Sequence, residues 1–224
     1  EFGFQGPPAR ATFDAVVHDE HPAPFSPGVV QRQKAAGGTE RINDVLAAHF
    51  GVPVDFDEWY WLAQLDQARA VRYGVERFRT LEPYCRGTII WQLNDCWPAL
   101  SWSMIDSADR WKPVAYAVRE AYRDSILVLR IEDGLPVLYG CNIAAEAWDV
   151  EVRLDRFVGS VVSARSAVRA TVPPHTAARI PLGDLGAPLT GSEVLVATTM
   201  DAGGERYASR TVVLGTTDRE FPDA

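Results

Sequence analysis

The spacing of apolar residues changes its period once along this 224-residue chain, near Asp124, and that change limits the folds open to it. Before Asp124, helix-length patterns flank a short apolar run. Thr39 stands where an N-cap belongs, and Ile42, Val45, Leu46 and Phe50 follow at helical spacing until Gly51 and Pro53. A longer helix is predicted over residues 57–81, capped by Asp55 or Asp57. Trp61, Leu65, Ala68, Val71, Val75 and Phe78 fall on one arc of it, and Asp66, Arg69, Glu76 and Arg77 on the opposite arc. Pro83 stops that helix. Ile89, Ile90, Trp91 and Leu93 then make Gly87 to Leu93 nearly continuously apolar, as in a strand buried on both faces. Pro113 opens another helix that runs through Tyr122. The first thirty residues, with Pro7, Pro8, Pro22, Pro24 and Pro27, read as a strand end followed by a long ordered loop. Helix, strand, loop, helix is the rhythm of an α/β barrel.

After Asp124 only short strands are predicted: Ile126–Ile131, Leu135–Asn142, Trp148–Leu154, Ala164–Val172, Ala177–Leu182, Glu193–Met200 and Tyr207–Leu214. Turn signals at Asp133-Gly134 and Gly203-Gly204 punctuate them. Such a series of short strands over the second half of the chain fits an immunoglobulin-like sandwich. The expected fold class is therefore α/β plus all-β, divided into residues 1–123 and 124–224.

The formal charge of −8 disfavours nucleic acid, whose phosphates demand clustered Lys and Arg, and also an anionic membrane surface. No apolar run approaches the ~20 residues of a membrane helix. Cys85, Cys96 and Cys141 form no Cys-x-x-Cys spacing, so neither a disulfide framework nor a zinc knuckle is expected. Free thiols fit a reducing compartment, which makes the cytoplasm the expected location and secretion the alternative. The sequence opens in mid-pattern with EFGFQ, without an initiator Met or a signal-peptide pattern, and is expected to be a fragment of a longer protein.

Chemistry concentrates in Gly87–Trp102, GTIIWQLNDCWPALSW. A single Trp is usually core filling. Here Trp91, Trp97 and Trp102 stand within twelve positions of Gln92, Asn94 and Asp95, at the predicted end of a strand. Aromatic faces suit the CH faces of a sugar, and fixed amides and carboxylates suit its hydroxyls. His18, Asp19, Glu20 and His21 form a polar cluster in a proline-rich loop without a third ligand at a useful spacing, so a solvated loop is expected there and no metal. Asp106 and Asp109 are expected to lie in a turn shaped by Asp109-Arg110, and Arg69, Arg72, Arg77 and Arg79 to form a helix face with ordinary solvation or ion pairing.

The segment WQLNDCWPALSWSMIDSADRWKP, Trp91 to Pro113, resembles the last barrel strand and loop of β-mannosidases in glycoside hydrolase family 2. EFGFQ, Glu1 to Gln5, resembles the motif at the end of the seventh strand of that barrel. QRQK at Gln31–Lys34 and AQLDQARAVRYGVERFR at Ala63–Arg79 resemble the same family, in the same order. The resemblance implies strands seven and eight of a (β/α)8 barrel with their helices, followed by the sandwich. It implies a retaining exo-glycosidase acting on terminal β-D-mannosides with two carboxylates about 5 to 5.5 Å apart and no cofactor. Glu1 matches the nucleophile, and Trp91 the indole that stacks on the sugar. Asn94 and Asp95 are assigned to hydroxyl binding or support of the site, with Trp97 beside them. The family's acid/base lies upstream of its nucleophile, and nothing in these residues matches it. The isolated chain is therefore expected to be inactive. Two strands close no barrel, so the remainder of a parent enzyme, or another copy of the chain, is the expected partner besides the carbohydrate. A family 2 β-galactosidase or β-glucuronidase is the alternative for the parent, and a non-catalytic structural or sugar-binding module for the chain itself.

Overall fold

Asp55 starts the longest helix. Its carboxylate accepts the Glu58 N–H at 2.8 Å, and α4 (Phe56–Arg79) follows, so of the two expected caps Asp55 is the one used. This computed structural model describes residues 1–200 and 210–214, which fall into two units: residues 1–75 with 88–122, and residues 76–87 with those from 123 onward. None of the described helices is long and apolar enough to cross a membrane.

The first unit carries the helices. α1 (Arg10–Asp14) and α2 (Pro27–Gln31) each make about one turn inside the stretch expected to be loop. α3 (Gly38–His49) begins one residue after Gly37, which takes a left-handed φ of 66° as the N-cap. Thr39 is therefore inside the helix and buried, where it accepts a hydrogen bond from Gln33 rather than capping. α5 (Pro113–Ala121) starts at its proline, as expected, and ends one residue before Tyr122.

The buried face of α4 differs from the expected arc. Val71 and Val75 are buried, but Trp61 and Leu65 are exposed, while Gln64, Asp66 and Gln67 are buried. The reason is polar satisfaction. Gln64 donates to the Pro8 carbonyl at 2.5 Å, Gln67 donates to the Phe4 carbonyl at 2.8 Å, and Asp66 pairs with His49 Nδ1 at 2.8 Å. Polar groups with such partners can occupy an interior that the apolar pattern would reserve for Trp and Leu. Around this face Phe13, Val29, Ile42, Leu46, Trp59, Tyr60 and Leu100 form one core cluster. Val71, Val114 and Val118 form another, against which Phe2, Phe4 and Ile90 pack.

The expected strand over Gly87 to Leu93 is extended chain without a regular ladder. Phe2 and Ile90 make an isolated parallel bridge: the Phe2 N–H donates to the Ile89 carbonyl at 3.1 Å and the Trp91 N–H to the Phe2 carbonyl at 2.9 Å. One residue later the partner changes, for the Gln92 N–H donates to the Trp102 carbonyl. A segment that switches neighbours after two or three residues cannot propagate a sheet. Ile89, Trp91 and Leu93 are exposed rather than buried on both faces. Among the described residues no barrel closes.

The second unit is antiparallel. β1 (Ser125–Glu132), β2 (Leu135–Asn142) and β5 (Thr176–Ile180) form one sheet in the order β1-β2-β5. β3 (Trp148–Val158), β4 (Val161–Val172), β6 (Glu193–Met200) and β7 (Arg210–Leu214) form the other, in the order β4-β3-β6-β7. Asp133 and Gly134, at φ 51° and 79°, make the two-residue turn between β1 and β2. The chain alternates side chains, and the inward set builds a core of Leu127, Leu129, Leu138, Val152, Leu154, Ile180 and Leu195. Gly203-Gly204 and the stretch from Tyr207 to Ser209 lie outside the described residues.

Leu195 is fully buried in that core. Leu195→Ala is expected to lower the unfolding free energy by about 2–5 kcal/mol in urea titration. A loss below about 1 kcal/mol would mean that the two sheets do not share a packed interior.

Candidate functional site

The Phe2–Ile90 bridge sets the residue before Phe2 beside the segment that leads into Trp91. Gly3 makes the approach close enough: a Cβ there would collide with the Trp91 carbonyl oxygen and press on the Trp102 indole at 3.1 Å. Glu1 is exposed. Trp91 is half exposed, at 51%, and its peptide bond to Gln92 is cis. Asn94 is exposed, bridged through its backbone to Ile105, and Trp97 is partly buried. Glu1, Trp91 and Asn94 thus offer a carboxylate, an indole and an amide to solvent from neighbouring stretches of backbone.

Asp95 is different. It is 5% exposed and its two oxygens are enclosed. Oδ1 accepts from Lys34 Nζ at 2.5 Å and from Gln92 Nε2 at 3.2 Å. Oδ2 accepts from Ser103 Oγ at 2.6 Å and from Ser101 Oγ. A carboxylate has about four lone-pair sites, and four donors fill them. No acceptor site remains for a ligand hydroxyl.

The sequence reading missed most of this shell. In the sequence Lys34 stands out only within QRQK, and its partial burial carries no sequence signal. Ser101 and Ser103 did carry one. They flank Trp102 at a spacing of two, which puts both hydroxyls on one face of an extended segment.

Two more buried charges lie nearby. The turn expected to be shaped by Asp109-Arg110 is held by Asp106 instead: Oδ1 accepts the Ala108 and Arg110 N–H groups at 2.9 and 3.0 Å, and Oδ2 accepts the Ala9 N–H at 3.1 Å and a hydrogen bond from Thr12 Oγ1 at 2.6 Å. Burial works against its ionised form, but these hydrogen bonds win and hold its pKa below the usual value. Lys112, at the N-cap of α5, is 0% exposed and donates to the Gly6 carbonyl at 3.1 Å. Burial lowers its pKa to about 7, against the attraction of Asp95 and Asp106. In the loop before α2, Asp19 accepts from Ser26 Oγ at 2.6 Å and the Gly28 N–H at 2.9 Å, and so shapes the loop.

Comparison with known proteins gives first a class. No family model matches the chain. In fold it is similar to part of an exo-chitosanase from Amycolatopsis orientalis, with a TM-score of 0.67 and 18% identity over 82% of this chain and 22% of that one, a likeness of fold alone. Nearer matches narrow the class. A β-D-mannosidase from Dictyoglomus thermophilum matches with a TM-score of 0.88 and 26% identity, covering 97% of this chain and 27% of that one. β-Mannosidase B of Emericella nidulans is 33% identical over 136 residues, 59% of this chain and 16% of the relative. The Aspergillus terreus protein of the same name is 34% identical over 122 residues, 53% of this chain and 14% of the relative. In sequence and in fold the chain is similar to part of a β-mannosidase. It spans about a sixth of the length of the curated relatives it matches.

The buried amine makes a signed prediction. In the unfolded chain the amine of Lys112 titrates at its ordinary value of 10.5, and in the fold at about 7. Between those values the unfolded state binds more protons, so this group adds stability as pH rises through that window. Thermal denaturation of the protein and of Lys112→Met should therefore diverge in slope there, the unsubstituted protein gaining relative to the variant. Parallel profiles would contradict a buried titrating Lys112.

Proposed function

We propose that this chain is the part of a retaining exo-glycosidase that carries the nucleophile and one wall of the sugar site, and that the whole enzyme removes terminal β-linked mannose. The parallel pairing of Phe2 with Ile90 supports this most directly, because it brings the exposed Glu1 to the stretch that leads, two residues on, to the exposed indole of Trp91. The similarity to β-mannosidases in sequence and fold supports the sugar. On this reading the first unit is the portion of a (β/α)8 barrel that holds strands seven and eight, and the second an immunoglobulin-like sandwich. The exposed Ile89 and Leu93 would meet the remainder of the parent enzyme.

The chemistry follows from the groups. The Glu1 carboxylate attacks the anomeric carbon, the bond to the leaving oxygen breaks, and a glycosyl–enzyme ester forms. A second carboxylic acid, outside these 224 residues, gives the leaving oxygen its proton and then takes one from the water that cleaves the ester. Trp91 offers its face to the CH surface of the sugar, and Asn94 offers amide donors and an acceptor to its hydroxyls. Asp95, with its acceptor sites filled, supports the loop instead.

Glu1→Ala in the full-length gene product is expected to abolish hydrolysis of an aryl β-mannoside, and ordinary activity in that variant would overturn the assignment. A parallel panel of aryl β-galactoside and β-glucuronide tests the two rival sugars. The 224-residue chain alone should show no turnover, as a non-catalytic module would, because Asp95 is not free to serve as the second carboxylate. Turnover by the chain would mean that the carboxylates have been misassigned.

A further inference from the structure

We propose that Lys34 is a positioning residue of the sugar site, acting through Asp95 to hold the turn between Trp91 and Trp97. Its relevance to catalysis rests on the glycosidase reading above; the coupling of Lys34 to the turn does not.

Lys34 is itself placed by backbone. Gln33 and Leu100 form a parallel bridge, the Lys34 N–H donates to the Leu100 carbonyl at 3.2 Å, and the Leu100 N–H donates to the Arg32 carbonyl at 2.9 Å. From there the ammonium reaches Asp95 Oδ1 at 2.5 Å, with 20% of the lysine side chain and 1% of the aspartate side chain exposed. The same carboxylate takes the Ser101 and Ser103 hydroxyls on its other oxygen. Ser101 is also the residue that pairs with Gly6, its N–H donating to the Gly6 carbonyl at 3.1 Å and its carbonyl accepting the Gly6 N–H at 2.9 Å. Gln92 closes the circuit, for its Nε2 reaches both Asp95 Oδ1 and the Asn94 carbonyl, at 3.2 and 2.9 Å.

One carboxylate therefore ties together the residue after Gln33, the turn that bears Trp91 and Asn94, and the segment that pairs with the Glu1–Gly6 stretch. Among the described residues, Lys34 is the one cation that hydrogen-bonds to it. A buried ion pair is a weak source of stability but a strong source of fixed geometry when its remaining lone pairs are filled. Without the ammonium, Asp95 is a buried anion held only by neutral donors, and the turn has reason to open.

The test separates holding the turn from holding the fold. Lys34→Met strands the carboxylate, and the fold could fail for that reason alone. The double variant Lys34→Met/Asp95→Leu removes both charges, and Ser101 Oγ can still donate to Ser103 Oγ, which lies 3.0 Å away. In the 224-residue chain this double variant is expected to melt near the unsubstituted protein while amide hydrogen exchange across residues 92–97 speeds by about tenfold or more. Exchange in α3 should stay as it is. Lys34→Arg, which keeps the charge, should restore most of the protection. In the full-length gene product the double variant should lose about tenfold to a hundredfold in kcat on an aryl β-mannoside, with a smaller change in KM. Unchanged exchange across 92–97 in a folded double variant would overturn the proposal. Should the unsubstituted gene product leave the mannoside intact, the glycosidase reading falls, and the exchange result still decides the role of the Lys34–Asp95 pair.

Discussion

A single buried carboxylate organises the functional end of the first unit. Asp95 accepts from Lys34, Gln92, Ser101 and Ser103, and each donor comes with a piece of backbone that has other work. Ser101 pairs with Gly6, and Gly6 belongs to the stretch that runs back to Glu1. Gln92 adjoins Trp91. The groups proposed to meet the sugar lie in solvent, but the arrangement that sets their spacing is buried. Such a division suits a site whose ligand is polar and water-exposed: the contacting groups can be replaced by water when empty, while the frame stays dry.

Much of the second unit could be read from the sequence. Short apolar runs on either side of the Asp133-Gly134 turn announce β1 and β2, and the expected bounds of β2 and β6 match those observed. β3 shows a period-two pattern because Val150, Val152 and Leu154 face the core, whereas β1, buried on both faces, reads as a continuous apolar run. The first unit is harder. α4 was visible as a helix, but its buried face was not, since Gln64, Asp66 and Gln67 point inward to serve loop carbonyls and His49. An apolar pattern cannot know where carbonyls from distant loops will arrive. The one-turn helices α1 and α2 hide among prolines for a similar reason: so short a helix has no period.

The site was legible in outline. Trp91 and Asn94 were singled out by the company of aromatics and amides, and they are exposed in adjoining positions. The sequence allows Asp95 either hydroxyl binding or support, and its filled acceptor sites favour support. Lys34 and Lys112 were missed because a lysine is read by default as solvated. The partial burial of Lys34 and the full burial of Lys112 go with the tertiary placement of Asp95 and Asp106, the first 61 residues from Lys34 and the second close in sequence to Lys112. Gly3 was part of a quoted motif, yet only the structure shows its reason, the near contact with the Trp91 carbonyl.

Covalent trapping tests the central claim most directly. A fluorinated β-mannosyl fluoride slows release of the glycosyl–enzyme and leaves the sugar on the nucleophile. Peptide mass spectrometry of the full-length gene product, treated in this way, should find the label on the peptide that contains Glu1, at Glu1 itself. Label on any other carboxylate, with Glu1 unmodified, would contradict the account.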